Sequence, residues 1–393
     1  MGLIKTLRSV ASFSVPTLSR RKRRFNRAAN IADLRLIARD RLPRGIFDYI
    51  DGGAEDELTM ARNSSDFAEY EFVPRILRNV ANINTSTSLL GRELETPIIF
   101  SPTGFTRIAH SQGELSVARV AAKHQSPYCL STLSTRSIEE VAQVSNGPKW
   151  FQVYVWRDRE MVKDMLSRAE QCGYEAIMLT VDTAVLGRRE RDVRRGFTLP
   201  PTLGPGTIID GITHPSWTWD FIRHEPITFS NIKASSDNKN GTAVTLSAFI
   251  SEQFDQSLSW DDIEWFRAHW KGHIILKGVQ SVDDAVLAQQ HGIDAVALSN
   301  HGGRQLDGAP APLDLIAPVA QATHGTLPLI CDGGIRRGGD ILKALALGAT
   351  ACTMGRSYLY GLGAAGEAGV EDLEVGLVGE RHLGGATHHQ VGF

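Results

Sequence analysis

The chain has few cysteines, and their spacing excludes small proteins that are held together by disulfides or thiolate metal sites. Only four cysteines occur in 393 residues, and no two of them form a C-x-x-C pair. A disulfide framework or a zinc site of thiolates would need paired cysteines, so the composition fits a reducing compartment. His388 and His389 are adjacent, but the sequence places no third ligand near them. We therefore expect no metal site.

Long hydrophobic runs and a large net charge are also missing. No apolar stretch approaches the roughly 18 residues that a membrane-spanning helix needs. The formal net charge at pH 7 is -2, which gives no reason to expect nucleic-acid binding. A hydrophobic content of 42% is typical of globular proteins. The length allows two average domains or one large α/β barrel with additions.

The first 32 residues lack acidic side chains but contain eight Lys or Arg. Residues 1–30 therefore form a basic N-terminal extension, for which three interpretations stay open. They are a mitochondrial transit peptide, a basic arm on anionic lipid, and a solvated tail. Met1 and Gly2 with Thr6 also fit the loose N-myristoylation pattern. The apolar stretch at 10–15 is too short and interrupted for a secretory signal.

From residue 97 onward, short apolar runs alternate with helical patterns, which is typical of repeated βα units. Eight strands are predicted, at 97–102, 127–131, 150–155, 176–181, 273–277, 295–299, 327–331 and 349–354. Helices are predicted at 113–124, 138–144, 160–172, 282–291 and 340–347. Since eight such units close without a free sheet edge, we predict an α/β fold, a (β/α)₈ TIM barrel over 97–370. A helical segment at 31–96 would precede it.

Polar residues follow each predicted strand, where the carboxyl ends of a barrel converge on one face. In chain order they are Ser101 and Thr103, Ser131, Gln152 and Tyr154, Thr180 and Asp182, Lys277, His301 with Arg304, Asp332 to Arg336, and Gly355 with Arg356. The last two groups offer backbone N–H groups beside an arginine, as a phosphate site requires. The sequence therefore predicts an active site on this face.

The stretch from Leu298 to Asp307 is the most informative of these strand ends. His301 can take a proton near neutral pH, and Arg304 can bind a carboxylate through two parallel hydrogen bonds. Together they suit a small anionic substrate. The G-x-G-x-x-G pattern at 361–366 lies within a helical pattern instead of between a strand and a helix, so we do not expect a Rossmann nucleotide site there.

Taken together, these residues resemble the FMN-dependent 2-hydroxy-acid dehydrogenases and oxidases, from about Phe47 to about Val370. The 299–307 signature and the motifs at 47–49 and 53–56 carry the resemblance. It implies bound FMN and a small L-2-hydroxy acid as substrate. Respiratory L-lactate dehydrogenases are the most similar members, so we expect oxidation of L-lactate to pyruvate. A quinone or cytochrome would accept the electrons, and the protein would form a homotetramer.

The resemblance also implies roles for the catalytic and substrate-binding residues. His301 would be the base, and Asp182 would steady its imidazolium. Tyr49, Arg189 and Arg304 would bind the substrate carboxylate, and Tyr154 the hydroxyl. Lys277 would stabilise the reduced flavin. Leu133 stands where glycolate oxidase has a tryptophan, which implies room for a substrate side chain such as a methyl.

The cofactor would be bound by residues from several strand ends. Ser131, Gln152 and Thr180 would hydrogen-bond the flavin edge, and Asp332 with Arg336 would bind the ribityl chain and phosphate. The remaining flavin-binding residues would be Ser101, Pro102, Thr103, Gly104, Ser299, Gly333, Gly334, Gly355 and Arg356. Gly104 stands where oxidases of the family tend to have alanine, which favours an acceptor other than oxygen.

Two regions depart from a plain barrel. The insertion at 184–258 is long for a βα loop and contains an aromatic segment at 214–223. In mandelate dehydrogenase the equivalent segment attaches the enzyme to the membrane, while the alternative is a lid packed on the barrel. We expect a cytoplasmic protein, peripheral on the inner membrane if this segment attaches it (mitochondrial in a eukaryote). Residues 371–393 are Gly-rich, without helical periodicity, and do not resemble the family's ending.

Three other functions stay open. One is an oxidase of the same family that passes electrons to oxygen and yields hydrogen peroxide. Another is an FMN barrel such as the type 2 isopentenyl-diphosphate isomerases, which would not need His301 beside Arg304. The third is an inactive flavin-binding barrel.

Overall fold

Eight short parallel strands close into a barrel, which confirms the predicted fold. The computed structural model describes residues 19–79, 81–195, 204–232 and 253–378. The barrel strands are β3 Ile98–Phe100, β4 Tyr128–Ser131, β5 Lys149–Tyr154, β6 Ala176–Thr180, β7 His273–Val279, β8 Ala295–Ser299, β9 Leu329–Asp332 and β10 Ala351–Met354. Around the barrel their order is β10-β3-β4-β5-β6-β7-β8-β9, and β9 pairs with β10. All eight predicted strands are confirmed, with ends shifted by at most about two residues.

The barrel strands are apolar throughout because both of their faces are buried. Ile99, Met178 and Ile275 point into the barrel and form one cluster. Phe100 and Phe151 belong to a second cluster between the strands and the surrounding helices. Burial on both faces gives parallel strands their continuous apolar sequence.

A β-hairpin closes the amino-terminal end of the barrel. Its strands, β1 Thr87–Leu89 and β2 Arg92–Leu94, pair antiparallel. Leu89 and Leu94 are buried in the same cluster as the barrel interior. Arg92 forms an ion pair with Glu175 in the turn before β6, which fixes the hairpin on the barrel. The opposite end, where the strands finish, is therefore the face that can hold a site.

Helices surround the barrel and build the segments before and within it. Among the described residues they are α1 Arg20–Phe25, α2 Ile31–Arg41, α3 Arg44–Asp51, α4 Leu58–Ser65, α5 Gly113–Lys123, α6 Ile138–Val144, α7 Arg159–Gln171, α8 Glu190–Arg195, α9 Pro205–Thr213, α10 Pro215–Arg223, α11 Asp262–His269, α12 Val282–Gln290, α13 Pro312–Ala322, α14 Gly338–Ala346, α15 Arg356–Ala365 and α16 Glu367–Val378. Short 3₁₀ turns occur at Asp66–Glu69 and Thr106–Ile108. The five helices predicted from the sequence are confirmed.

Part of the basic N-terminal run is folded onto the barrel. Arg21 of α1 donates to the carbonyl oxygen of Ala364 at 3.1 Å, and Arg24 lies 2.5 Å from Asp40. Residues 20–25 are therefore helical and contact neighbouring helices, although residues 21–24 stay exposed. The three interpretations of the extension stay predictions. Residues 1–18, including Gly2 and Thr6, lie outside the described part of the chain.

Asp51, at the end of α3, joins four helices through one carboxylate. It accepts two hydrogen bonds from Arg35 of α2 at 2.5 and 2.7 Å and one from Arg191 of α8 at 2.9 Å. Tyr360 of α15 donates its hydroxyl at 2.7 Å. Although burial raises the pKa of a carboxyl, these donors and charges lower the pKa of Asp51 to about 2. Asp51 therefore fixes the N-terminal segment and the start of the insertion on the barrel.

The C-terminal region is more helical than the sequence indicated. The expectation of a non-helical segment from Glu371 onward is wrong as far as Val378, because α16 continues to that residue. Val370, Leu373 and Leu377 are buried at helical spacing, which the many glycines obscured. Residues 379–393, with His388 and His389, lie outside the described ranges. The G-x-G-x-x-G pattern falls mainly within α15, as predicted.

The insertion after β6 forms a pair of short helices with one face packed and one exposed. Trp217 packs against the core and donates its indole N–H to the carbonyl oxygen of Ile108 at 2.7 Å, so it belongs to the packed face. The exposed apolar side chains of α9 and α10 are Ile208, Ile209, Ile212, Trp219, Phe221 and Ile222. In the part of the chain that the structure describes, no helix is long and apolar enough to cross a membrane.

Candidate active site

A cavity of about 380 Å³ opens at the carboxyl ends of the strands, where the sequence places the site. Most of the predicted residues line it: Tyr49, Ser101, Pro102, Thr103, Gly104, Leu133, Tyr154, Lys277, Arg189, His301, Arg304, Asp332, Gly333, Gly334, Arg336, Gly355 and Arg356. Five others are outside the lining, namely Ser131, Gln152, Thr180, Asp182 and Ser299. These five contact lining residues or one another, as described below.

His301 and Asp182 form a hydrogen-bonded pair at one wall of the cavity. Nδ1 of His301 lies 3.0 Å from Oδ1 and 3.2 Å from Oδ2 of Asp182. Burial raises the pKa of a carboxyl, but the charge and hydrogen bond of His301 hold the pKa of Asp182 below its usual value. An ionised carboxylate only accepts hydrogen bonds, so Nδ1 carries the proton and Nε2 is left to receive one. This arrangement suits a base.

The loops on either side hold Asp182 in place. Gln305 donates its amide to the carbonyl oxygen of Asp182 at 3.0 Å, and its side-chain oxygen accepts from the backbone N–H of Gly187 at 2.8 Å. On the other side the pairing of β7 with β8 is irregular between Lys277 and Val279. Gly278 lies there at a φ of 104°, and a Cβ would be only 2.7 Å from that of Asp182. Glycine at this bulge therefore lets β7 approach the carboxylate.

Lys277 and Asp332 form a buried ion pair at the floor of the cavity, with Nζ 2.8 Å from Oδ2. Asp332 also accepts hydrogen bonds from Ser101 at 3.1 Å, Ser299 at 2.6 Å and Thr353. Burial lowers the pKa of an ammonium, but the charges of Asp332 and Asp182 outweigh it and raise the pKa of Lys277. The floor therefore carries a fixed positive charge.

Ser131, Gln152 and Thr180 form a buried hydrogen-bonded chain across three neighbouring strand ends. Ser131 donates to Oε1 of Gln152 at 3.0 Å, and Nε2 of Gln152 donates to Thr180 at 3.0 Å. All three residues are about 2% exposed. These bonds fix the direction of the Gln152 amide and leave one of its hydrogens and the Thr180 hydroxyl hydrogen for a further partner.

Two arginines and an aromatic ring form the cationic wall. The guanidinium carbons of Arg189 and Arg304 lie 5.4 and 5.1 Å from the ring centre of Tyr49. Arg304 donates to the carbonyl oxygens of Tyr49 and Gly52 at 2.7 and 2.9 Å. Burial and the nearby charge of Arg189 lower the pKa of Arg304 to about 9, so it stays cationic at neutral pH. Asp192, 3.1 Å from Arg189, also lines the cavity and was not predicted from the sequence.

An apolar wall completes the cavity, and sequence reasoning missed most of it. Phe105, Ile108, Leu133, Phe229 and Phe254 line this part. The rings of Phe105 and Phe229 lie 5.4 Å apart, and Phe254 lies 5.2 Å from Tyr154. Phe229 and Phe254 come from the insertion, where no strand end marks them. Leu133 was expected from the resemblance, and Phe105 directly follows Gly104, which the sequence also placed at the site.

The far end of the cavity has the features of an anion site. Gly333 and Gly334 have φ values of 134° and 81°, and Arg336 lies beside them. The N-terminus of α15 also faces the cavity, and no described side chain caps it. Uncapped N–H groups at a helix N-terminus suit a phosphate. Arg356 donates instead to the carbonyl oxygens of Ile50, Gly52 and Gly302, at 3.1, 2.7 and 2.7 Å.

The donor set of this cavity fits FMN. The uncapped α15 N-terminus and Arg336 suit a phosphate, and the hydroxyls and carboxylate around Asp332 suit a polyol chain. The Gln152 amide, just outside the lining, and the Lys277 ammonium would hydrogen-bond the polar edges of the flavin ring. Each part of the cofactor therefore has matching groups in this cavity or directly beside it.

Comparison with known proteins agrees with this geometry. The model for the family "FMN-dependent dehydrogenase" matches residues 38–380. A "Putative L-lactate dehydrogenase" of Mycobacterium tuberculosis is 43% identical over 389 residues, which cover 98% of this chain and 92% of that protein. The crystal structure of the monotopic membrane protein (S)-mandelate dehydrogenase is similar with a TM-score of 0.86 and 38% identity, covering 90% of this chain and 93% of that one. A mandelate oxidase structure has a TM-score of 0.75 and 36% identity, with 90% and 92% covered.

Proposed function

The chain belongs to the FMN-dependent dehydrogenase family, and on that premise we propose that it oxidises a small L-2-hydroxy acid to the 2-oxo acid, with L-lactate to pyruvate as the reference reaction. The observation that carries this proposal is the His301–Asp182 pair, which shares one cavity with Arg189 and Arg304. A base and a cationic wall in one cavity are what an anionic hydroxy acid requires.

In the proposed reaction His301 removes the hydroxyl proton of the substrate. Nε2 receives the proton as the C2–H bond breaks and the carbonyl double bond forms, so the imidazole becomes an imidazolium. Asp182, paired with Nδ1, stabilises that charge and holds the ring orientation. FMN, the cofactor of this family, supplies the acceptor for the two electrons and the hydrogen that leave C2.

The cationic wall orients the substrate for this step. Arg189 and Arg304 bind its carboxylate, and the ring of Tyr49 fixes the two guanidinium groups from one side. Tyr154 keeps its proton, because burial raises the pKa of the phenol, and it donates to the substrate oxygen. Lys277 places a fixed positive charge at the floor, where negative charge develops on reduction.

Leu133 and the neighbouring phenylalanines set the room for the substrate side chain. Their apolar wall accepts the methyl group of L-lactate. Whether it also accepts a larger substrate side chain, such as the phenyl group of mandelate, is a matter for experiment. The decisive experiment is anaerobic mixing of the yellow protein with L-lactate, glycolate and L-mandelate, followed by the loss of flavin absorbance. Bleaching by L-lactate supports the proposal. An absence of bleaching by all three acids would contradict the proposal and favour a barrel that binds flavin without oxidising a hydroxy acid.

We propose a quinone or a cytochrome as the electron acceptor, as in a respiratory dehydrogenase. The similarity to a membrane-associated mandelate dehydrogenase supports this, and the similarity to a mandelate oxidase supports oxygen as the alternative. Adding air, then a soluble quinone, to the bleached protein separates the two acceptors. Rapid reoxidation by air with stoichiometric hydrogen peroxide would identify an oxidase.

We further propose peripheral membrane attachment through the exposed face of α9 and α10. Ile209, Ile212, Trp219 and Ile222 are each at least 59% exposed on these two helices. The guanidinium of Arg223 lies 4.3 Å from the Trp219 ring centre, so a cation accompanies the apolar face. Apolar side chains beside basic ones favour the interface of an anionic membrane.

A homotetramer is the proposed assembly. The segment before β1 supports it, since Val73, Ile76 and Leu77 are 89%, 85% and 97% exposed. Clusters of exposed apolar side chains are typical of protein interfaces. Light scattering on the purified protein gives the mass directly, and replacing Ile76 and Leu77 by serine tests this segment.

A further inference from the structure

The loop that bears His301 has an unusual backbone. His301, Gly302 and Gly303 all have left-handed φ values, of 57°, 64° and 72°. The turn closes through a hydrogen bond from the N–H of Gly303 to the carbonyl oxygen of Asn300 at 3.0 Å. A side chain with a Cβ rarely adopts this conformation, so contacts from outside the turn must hold His301 in it.

The Asn300 side chain supplies one of these contacts, beside those of Ser299 with the N–H of His301 and of Arg356 with the carbonyl oxygen of Gly302. Its side chain is about 1% exposed, and its Oδ1 accepts from the N–H of Gly303 at 2.9 Å. Its amide nitrogen donates to the carbonyl oxygen of Pro310 at 2.9 Å. The Asn300 amide therefore ties both sides of the loop that contains His301.

Asn63 of α4 completes this arrangement from a distant part of the chain. Its amide nitrogen donates to Oδ1 of Asn300 at 2.8 Å, and its own oxygen accepts from Asn300 at 2.7 Å. Asn63 is about 3% exposed, so water does not replace these bonds. A reciprocal amide pair of this kind fixes both side-chain orientations, since either flip would set donor against donor.

Nearby backbone contacts bring α4 and the turn together. The N–H of Ala54 donates to the carbonyl oxygen of Gly303 at 2.8 Å. A Cβ on Gly303 would be 2.6 Å from the backbone nitrogen of Met60, so the turn and α4 are in direct contact. The turn therefore depends on the N-terminal segment as well as on β8.

We propose that Asn63 is a positioning residue for His301, acting through Asn300. It holds the left-handed turn so that the imidazole meets both Asp182 and the substrate. This inference rests on the proposed function, because it assumes that His301 is the base. Asn63 does not line the cavity, although it packs against Gly333 and Gly334 at the phosphate end. We therefore expect its effect on the chemical step and not on binding of the substrate carboxylate by the cationic wall.

The test compares Asn63→Ala and Asn63→Asp with the unsubstituted holoenzyme, and Ser65→Ala serves as the control. Ser65 is exposed on the same helix and bonds only within the segment from Arg62 to Asp66. Anaerobic flavin reduction by L-lactate measures the chemical step. The Kd of oxalate, a dianion without a transferable hydrogen, measures carboxylate binding by the cationic wall. Hydrogen exchange of a peptide spanning 300–304 reports the turn itself.

For both Asn63 variants we expect flavin reduction to slow by about 10- to 100-fold, as for a catalytic group displaced by a fraction of an ångström. The Kd of oxalate should change by less than about threefold, because the arginines that bind its carboxylates are unchanged. Exchange in the 300–304 peptide should accelerate, and Ser65→Ala should match the unsubstituted protein.

Reduction within about twofold of the unsubstituted rate in either folded variant would overturn the inference and leave the proposed function intact. If Asn63→Ala does not fold, the isosteric Asn63→Asp decides. If neither variant folds, Asn63 stabilises the whole domain and the inference is wrong. An unsubstituted protein that no hydroxy acid reduces would overturn the proposed function and this inference together.

Discussion

Nδ1 of His301 lies within 3.2 Å of both carboxylate oxygens of Asp182, and the two residues differ sharply in exposure. The side chain of Asp182 is 2% exposed, whereas that of His301 is 24% exposed. The carboxylate is thus shielded from water while the imidazole still reaches the cavity. A buried anion behind a partly exposed imidazole stabilises its protonated form, as the proposed role of His301 as the base requires.

Replacing His301 tests its role as the base. His301→Gln should keep FMN and slow anaerobic flavin reduction by about 10²- to 10⁴-fold, which is the usual cost of losing a general base. His291→Gln is the matched control, since His291 stacks on Trp260 outside the cavity. Stopped-flow absorbance measures both rates. Near-native reduction by His301→Gln would show that another group takes the proton.

The two arginines at the phosphate end should differ in what they support. Arg336→Ala should weaken FMN binding by about 10- to 100-fold, because a charged hydrogen bond to the phosphate would be lost. Arg356→Ala should weaken FMN binding as well, because Arg356 holds the start of α15 against the Gly302 carbonyl. Arg356→Ala should also lower the melting temperature of the FMN-free protein, since Arg356 bonds three carbonyl oxygens. Fluorescence titration and calorimetry separate the two effects. An unchanged FMN Kd in Arg356→Ala would make that residue purely structural.

Asp51 should make stability depend on pH in a defined direction. Its pKa is lowered from 3.8 to about 2, so its stabilising effect is complete above about pH 4 and is lost as the pH falls towards 2. Asp51→Asn should therefore reduce the free energy of unfolding at pH 7 by about 2 kcal/mol. Urea unfolding at pH 7 and pH 3 checks both the size and the sign.

The control for this measurement is Asp40→Asn, which removes the exposed pair with Arg24. Exposed ion pairs contribute about 0–1 kcal/mol, so its effect should be small. If the decrease in the free energy of unfolding caused by Asp51→Asn stays constant down to pH 2, the stabilisation does not come from the ionised Asp51 carboxylate.

Membrane attachment should depend on Trp219 and Ile222. Replacing both by serine should weaken binding to anionic vesicles by about tenfold or more, because two apolar side chains are removed from the interface. Ile83→Ser is the control, since Ile83 is 58% exposed and lies outside α9 and α10. Co-sedimentation at low salt measures binding. If the intact protein stays in the supernatant, α9 and α10 form a lid.

The barrel and most of its site could be predicted from the sequence because their signals are local. Each strand is a continuous apolar run, and its first polar residues mark the end that faces the cavity. His301 and Asp182 lie 119 residues apart, yet each directly follows a strand, so the fold alone brings them together.

Other features depend on contacts that the sequence does not display. Trp217 and Trp219 are two positions apart on one short helix, and only the packing of α10 decides which of them faces the protein. Asn63 lies on a helix without any catalytic motif, and its partner Asn300 is 237 residues away. Phe229 and Phe254 come from the insertion, which has no regular pattern.

The bonds of Arg356 have a consequence for the order in which the protein is made. Its acceptors Ile50 and Gly52 leave the ribosome early, whereas Arg356 follows them by more than 300 residues. Domains fold as units during synthesis, so this junction cannot form until nearly the whole barrel has been translated. A nascent chain that already has His301 therefore still lacks this support for its turn until α15 has been translated.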